Sequence, residues 1–370
     1  MSKWFERPSE KFWKTVVLAV VVGAAGGALG AIAVWSSLLA YQASLLSDFP
    51  FSTISSRSPS VVAEREVMRV IREEASVSVA DIFLAKPEID ARYFPEEAIG
   101  RGVVLTSDGW ILTHRNAVDP RRRAALRVGV GAFLKTPEKI VEDTETGTLF
   151  IKISGENLRA AVFGNPDDLQ PGDTLFAPAD SRSLFSAPLV DRFVRKNRLA
   201  FSDQLETFMV FGSIEPSPLV GSPLVDSRGK VIGIITSDEG GTRAMPINHI
   251  TSVFASVFNN SAVVRPVLGV YGLHLTTSRT MQQRRDRGFL ITNDDETVRA
   301  VLRNSPAEQA GLKTGDIILR IRDQVINGHE DLAELLAGYP GETVDLTVMR
   351  GETEMVVPVK LGTRDAGKVY

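Results

Sequence analysis

The stretch GVVLTSDGWILT, Gly102–Thr113, carries two short apolar runs on either side of Asp108-Gly109. Asp-Gly flanked by alternating apolar residues is a strong hairpin signal, because the tight turn needs residues that tolerate positive φ. Working outward, further short apolar runs lie at Val77–Leu84, Leu149–Ile153, Thr174–Ala177, Phe208–Phe211 and Val231–Thr236. Short strands at this spacing, separated by turn residues, predict an all-β sandwich or barrel. A helical stretch at Val61–Glu74 precedes them.

The chain has 370 residues, room for two or three domains that each bury a core. Hydrophobic residues make up 44% and charged residues 24%, a globular composition. A net charge of −3 with mixed signs excludes the concentrated basic face that nucleic acid requires, and the run Arg121–Arg123 reads as a solvated loop. Cysteine is absent, so disulfides, thiolate metal sites and a cysteine nucleophile are excluded. His114, His249, His274 and His329 lack metal-ligand spacing. No metal and no cofactor is expected.

From Thr15 to Ala40 the chain carries no charge and is almost wholly apolar. As a helix it would reach roughly 39 Å, against a hydrocarbon core of about 30 Å. Lys3, Arg7, Lys11 and Lys14 precede it, whereas only Asp48 and Arg57 fall between Tyr41 and Ser60. This asymmetry predicts a single-pass anchor with the N-terminus cytoplasmic and everything after Ala40 facing outward. A cleaved signal peptide would carry a shorter apolar region of about 7–15 residues. Gly23/Gly27 and Gly26/Gly30 set two G-x-x-x-G spacings that permit close helix contact. The Ser-rich segment that follows reads as a stalk.

Five ordered segments resemble the HtrA/DegS-type trypsin-like serine proteases. Gly102–Thr113 continues as His114-Arg115-Asn116-Ala117-Val118, where the family has T-x-x-H-V and its general base; Asn116 holds that position. DTETGTLFIKI, Asp143–Ile153, resembles D-x-x-T-D-L-A-V-L-K-I, with Gly147 at the triad Asp. PLVGSPLV, Pro218–Val225, resembles G-N-S-G-G-P-L-V, with Val220 at the nucleophile. Phe163–Asp173 and Ala244–Ile250 resemble two further loops of the family.

Acyl transfer on this frame needs a hydroxyl nucleophile, a base bonded to it and a carboxylate that orients the base. The family register implies that Asn116, Gly147 and Val220 supply none of these. It also puts Pro218, which has no N–H, where the family has an oxyanion-hole donor. The expectation is therefore a pseudoenzyme with no catalytic residue. An alternative is an active endopeptidase with a rearranged site, in which Ser222 and His114, two residues from Val220 and Asn116, act with Asp143 or Glu145.

NSPAEQAGLKTGDIIL, Asn304–Leu319, resembles the PDZ domain that follows HtrA protease domains. The resemblance implies that Val267, Leu268, Gly269 and Val270 form the loop whose backbone N–H groups hold a terminal carboxylate. The strand beyond offers an edge for an added peptide strand. Leu332, Leu335 and Leu336 would line the apolar pocket, or belong to the core, since their spacing is ordinary packing periodicity. Arg265 reads as attraction for the carboxylate or as an exposed charge, and His274 as a surface residue.

The chain then divides into a cytoplasmic N-terminus (1–14), a transmembrane helix (15–40), a linker (41–62), a trypsin-like domain (63–258), a PDZ domain (263–361) and a tail (362–370). The fold class is mostly β: a double β-barrel with an α+β PDZ domain. The expected function is a membrane-anchored HtrA-like pseudoprotease that binds C-terminal or unfolded segments, as a regulator or adaptor in envelope protein quality control. The resemblance implies a bacterial inner membrane with the globular domains periplasmic, and a homotrimer, or a hetero-oligomer with an HtrA paralogue. A third reading is a membrane scaffold whose PDZ groove is blocked.

Overall fold

A computed structural model describes residues 14, 15, 17–21, 23 and 61–370, apart from 89–90, 179–183, 196, 213–219, 238–241, 278–286, 294–297 and 329. It divides into two compact units, Met1–Val62 and Ala63–Tyr370. In the first, the described residues between Lys14 and Gly23 are helical. The transmembrane helix expected over 15–40 lies for the most part outside the described residues. Among those described, no helix is long and apolar enough to cross a membrane.

Helix α1 (Val61–Glu74) turns Val67, Met68 and Ile71 to one side, into a core shared with Phe150, Val225 and Ile234. Its other side is charged, with Arg69 paired to Glu66 and Glu73. Helical spacing alone gives this division, since residues three and four apart share a face.

The first sheet contains β1 (Val79–Leu84), β2 (Gly100–Val104), β3 (Trp110–His114), β4 (Leu126–Val130), β5 (Phe133–Lys135), β6 (Pro137–Asp143) and β7 (Thr148–Ile153). Its order is β6-β7-β3-β2-β1-β4-β5. The expected hairpin is β2–β3, in register Val103↔Leu112. Strand β3 is buried on both faces: Trp110 and Leu112 join the core that α1 covers, and Ile111 joins Ala80, Ile82 and Ile151 on the other side. A period of two makes that possible.

The second sheet closes into a barrel in the order β11-β14-β13-β12-β8-β9. These strands are β8 (Thr174–Pro178), β9 (Leu184–Arg195), β11 (Thr207–Phe211), β12 (Pro223–Val225), β13 (Val231–Ser237) and β14 (Thr242–Pro246). Leu175, Leu189, Met209, Phe211 and Ile232 fill it.

Helices α2 (Asn248–Thr251) and α3 (Phe254–Asn260) lead to β15 (Val264–Val267) and the third sheet. That sheet runs through β16 (Tyr271–His274), β17 (Phe289–Ile291), β18 (Ile317–Ile321), β20 (Thr343–Arg350) and β21 (Thr353–Lys360), with β19 (Gln324–Val325) paired to β18. Helices α4 (Pro306–Gln309) and α5 (Leu332–Leu336) complete its core. Its outer strand is β10 (Ala200–Phe201), which leaves the second barrel between β9 and β11 to pair with β16. Residues 362–370 form β22 (Gly362–Asp365), paired with β15, and β23 (Gly367–Val369), which extends the first sheet beyond β6.

Three sequence expectations are corrected. Arg123, in the run expected to be a solvated loop, is buried and pairs with Glu142 at 2.9 Å. His274 is not a surface residue: it is 1% exposed and packs edge-on against Phe289, with ring centroids 5.0 Å apart. Arg265 is neither an exposed charge nor part of the carboxylate loop. It is buried and ion-paired with Asp143 at the end of β6, which satisfies a charge that burial would otherwise penalise.

Candidate functional site

Strand β3 ends at His114, and the chain turns at once into a single 3-10 turn, Arg115–Ala117. Asn116 therefore lies in that turn and does not continue the strand face of His114. Its backbone N–H donates to His114 Nδ1 at 3.2 Å, and its side-chain Nδ2 donates to the Thr236 carbonyl at 3.1 Å.

Gly147 lies against the same imidazole. It has φ +72°, donates its N–H to the Asp143 carbonyl and accepts from the Arg115 N–H. A Cβ here would sit 2.9 Å from His114 Nε2 and 3.0 Å from Arg115 Nε. Left-handed backbone and lack of space together exclude a larger residue unless neighbours move.

The Val220 carbonyl accepts from the Arg101 N–H at 3.0 Å, and its side chain packs on the first sheet's core. Gly221 follows at φ +85°, where a Cβ would come within 2.1 Å of the Arg101 carbonyl oxygen and of Thr113 Oγ1. Ser222 is fully buried and its Oγ has no hydrogen-bond partner, so it is not bonded to His114. Pro218 lies outside the described residues.

The carboxylates weighed as partners for a rearranged site are engaged elsewhere. Asp143 holds Arg265 and accepts from Thr146 Oγ1 at 2.7 Å and the Glu145 N–H at 3.0 Å. Glu145 accepts from the Leu205 N–H at 3.2 Å and pairs with Arg364 at 2.6 Å. Burial lowers the His114 pKa to about 4, and the neighbouring Arg115 charge adds to this; the Thr146 backbone and Glu142 oppose it more weakly. Its imidazole is neutral at pH 7.

The PDZ loop presents a second site. The N–H groups of Leu268 and Gly269 donate to Asp203 Oδ1 at 2.8 and 3.1 Å. Those of Gly269 and Val270 donate to Ser202 Oγ at 3.2 and 3.0 Å. Val267, half-buried, ends β15 opposite Gly362. Leu332 and Leu336 are buried in the domain core, while Leu335 is half-buried against it. Of the three leucines, Leu335 alone retains exposed surface.

Helix α5 is tied to the second barrel. Asp331, which precedes it, accepts from the N–H groups of Glu206 and Thr207 at 2.7 and 2.9 Å and from Thr207 Oγ1 at 2.9 Å. Arg195 lies 3.3 Å from its other oxygen. Glu334 meets His249 Nε2 at 3.2 Å. Ser202, Asp203, Asp331 and Glu334 were not singled out from sequence, because only the fold brings them to the loop and helix.

A trypsin-like peptidase domain model matches residues 100–234 and a PDZ domain model matches 276–361. The chain is 27% identical over 286 residues to a putative serine protease HhoB of Synechocystis sp., covering 72% of this chain and 67% of that protein. It is 27% identical over 293 residues to serine protease Do-like HtrA of Bacillus subtilis, covering 73% and 65%. This chain joins a trypsin-like peptidase domain to one PDZ domain and is similar to HtrA-type proteases. A probable periplasmic serine endoprotease DegP-like of Halomonas elongata is 28% identical over 278 residues, 72% of this chain and 56% of the relative. The HtrA-type chain thus spans between about half and two thirds of these relatives' length. Solved structures of the HtrA-type protease AlgW, with a decapeptide and with a tripeptide, share the fold. Both have a TM-score of 0.55 and cover 80% of this chain and 98% and 97% of theirs, at 21% and 22% identity.

The expectation that the chain is no enzyme is corrected here. Its HtrA relatives are named serine proteases, so Asn116, Gly147 and Val220 do not place it outside that class. Motif register reports three positions only, and the same segments also carry His114 and Ser222.

Proposed function

We propose that this HtrA-type chain binds C-terminal or unfolded polypeptide segments through its PDZ groove and serves envelope protein quality control. The observation that carries this reading is the convergence of the Leu268 and Gly269 N–H groups on one carboxylate oxygen, that of Asp203. A loop that holds a side-chain carboxylate in this way can hold a peptide's terminal one, and the edge of β16 supports an added antiparallel strand. The test is fluorescence anisotropy with a decapeptide ending in a free apolar residue, against its C-terminal amide. Saturable binding of the acid, weakened by amidation and by Leu335→Ala, is expected. No saturable binding up to millimolar acid peptide defeats the reading.

Membrane anchoring through 15–40, with periplasmic domains, is part of the proposal. The uncharged run, the lysines and arginines before it, and relatives named periplasmic support it. Single cysteines introduced at Ser2 and Ser55 of this cysteine-free chain test it: in intact spheroplasts an impermeant maleimide should label only the second. A trimer follows from the family resemblance, and crosslinking in membranes reads its size.

A second activity is hydrolysis, favoured by the relatives' names and by the unbonded hydroxyl of Ser222. It requires a movement that brings Ser222 Oγ to His114. Fluorophosphonate labelling that disappears in Ser222→Ala supports it, and no labelling of the wild type ends it.

A further inference from the structure

The outer edge of β16 is already paired, and by the chain itself. Strand β10 pairs antiparallel with β16 in register Ala200↔Gly272 and Phe201↔Tyr271. The ladder continues as the Ser202 N–H donates to the Val270 carbonyl at 2.9 Å. Phe201 stacks on Tyr271, with ring centroids 4.5 Å apart, and Ala200 packs into the PDZ core. At the end of this ladder Asp203 turns its carboxylate onto the loop N–H groups, steadied by Ser202 Oγ at 2.7 Å. Ser202 and Asp203 are 0% and 6% exposed.

We propose that residues 200–203 are an internal ligand of the PDZ groove, with the Asp203 side chain in the place of a terminal carboxylate. An external peptide then gains the groove only by displacing this strand. This rests on the peptide-binding reading above and adds a regulatory step to it. The polar chemistry favours such an exchange. Departure of Ser202 and Asp203 together would leave the N–H groups of Leu268, Gly269 and Val270 unpaired, and an incoming terminal carboxylate offers two oxygens to the same donors. No charge type changes, so the competition is between like groups. The consequence is mechanical, because residues 200–203 run directly into Glu206 and Thr207, which hold Asp331 ahead of α5. Peptide capture therefore pulls on the joint between the PDZ domain and the second barrel.

The test uses the full chain and three forms. Removing the internal carboxylate with Asp203→Ala should tighten binding of the acid decapeptide by about 10- to 100-fold, since apparent affinity rises with the fraction of open groove. Asp203→Asn should fall between, because a neutral oxygen still accepts from the loop. The pair F201C with Y271C, oxidised across the register position, should bind no peptide until reduced. Hydrogen exchange supplies a readout free of any peptide: the amides of Leu268, Gly269 and Val270 should be protected in the wild type and exchange faster in Asp203→Ala. Equal affinity and equal exchange in both overturn the internal ligand while leaving peptide binding intact. Faster exchange without peptide binding in any form upholds the internal ligand and overturns the reading beneath it.

Discussion

Replacing Asp143 tests what holds the PDZ domain to the first sheet. Asp143 and Arg265 are 0% and 4% exposed at their side chains and form a direct ion pair between β6 and β15. The two partners are not equally provided for. Asp143 keeps Thr146 Oγ1 and the Glu145 N–H if the arginine is removed, whereas Arg265 keeps only the His249 carbonyl at 3.2 Å if the aspartate is removed. A buried guanidinium left with one carbonyl costs about 3–5 kcal/mol. A carboxylate left with two donors should cost less, about 2 kcal/mol. We therefore expect Asp143→Ala to destabilise more than Arg265→Met, and the double variant to cost less than Asp143→Ala alone. Urea unfolding of the four proteins, followed by tryptophan fluorescence, gives the cycle directly. Additive costs, or the opposite order of the single variants, would show that this pair is not what the burial and bonding imply.

Three further outcomes are expected. Because burial depresses the His114 pKa to about 4 from 6.5, the unfolded chain binds the extra proton between these values. Stability is full above pH 6.5 and falls by about 3 kcal/mol as the pH drops to 4. The same Tm-against-pH slope in His114→Gln would refute that assignment. Gly147→Ala, at φ +72° with its Cβ 2.9 Å from His114 Nε2, should cost about 1–3 kcal/mol in urea midpoint comparisons. An unchanged midpoint would contradict the placement of Gly147. Tyr370→Ala should cost about 1–2 kcal/mol, because the ring lies 4.3 Å under the Arg123 guanidinium and its hydroxyl donates to Glu142 at 3.0 Å. Thermal shift reads this, and a change within about 0.5 kcal/mol, the scatter of an ordinary surface substitution, would argue against it.

What could be read from sequence was local. The hairpin Gly102–Thr113 needs only its own turn and alternation, and helix Val61–Glu74 only its own spacing. The two domains could be recognised because HtrA motifs are contiguous. The burial of Arg265 and His274 is not legible locally, because their surroundings come from elsewhere in the chain: Asp143 stands 122 positions from Arg265. The strands β10 and β23 are too short to announce themselves, and each exists only through a distant partner. Enzyme class is not legible for a related reason. Three substituted motif positions do not describe a whole cleft, and the relatives are named serine proteases.

The contacts between the PDZ domain and the rest of the chain fall into two kinds, and the difference decides what a ligand can move. At the groove, the bonds that Ser202 and Asp203 accept from the loop N–H groups are ones that a peptide's own backbone and terminus could make in their place, while the Arg364 side chain additionally holds the Asp203 carbonyl. Exchange there can be close to balanced, so a modest affinity difference shifts it. The Asp143–Arg265 pair and the Glu334–His249 contact offer no such substitute, and breaking either exposes or strands a buried polar group. A peptide should therefore release β10 while the ion pair holds β15 against β6. The loop that can follow the ligand is the stretch from Ala200 to Thr207, and its far end is the Asp331 clamp. Coupling between groove and barrel is carried by that stretch, and weakening the clamp with Asp331→Asn should loosen α5 without opening the groove. Hydrogen exchange in which both sites open together in that variant would mean that the two kinds of contact form one cooperative unit.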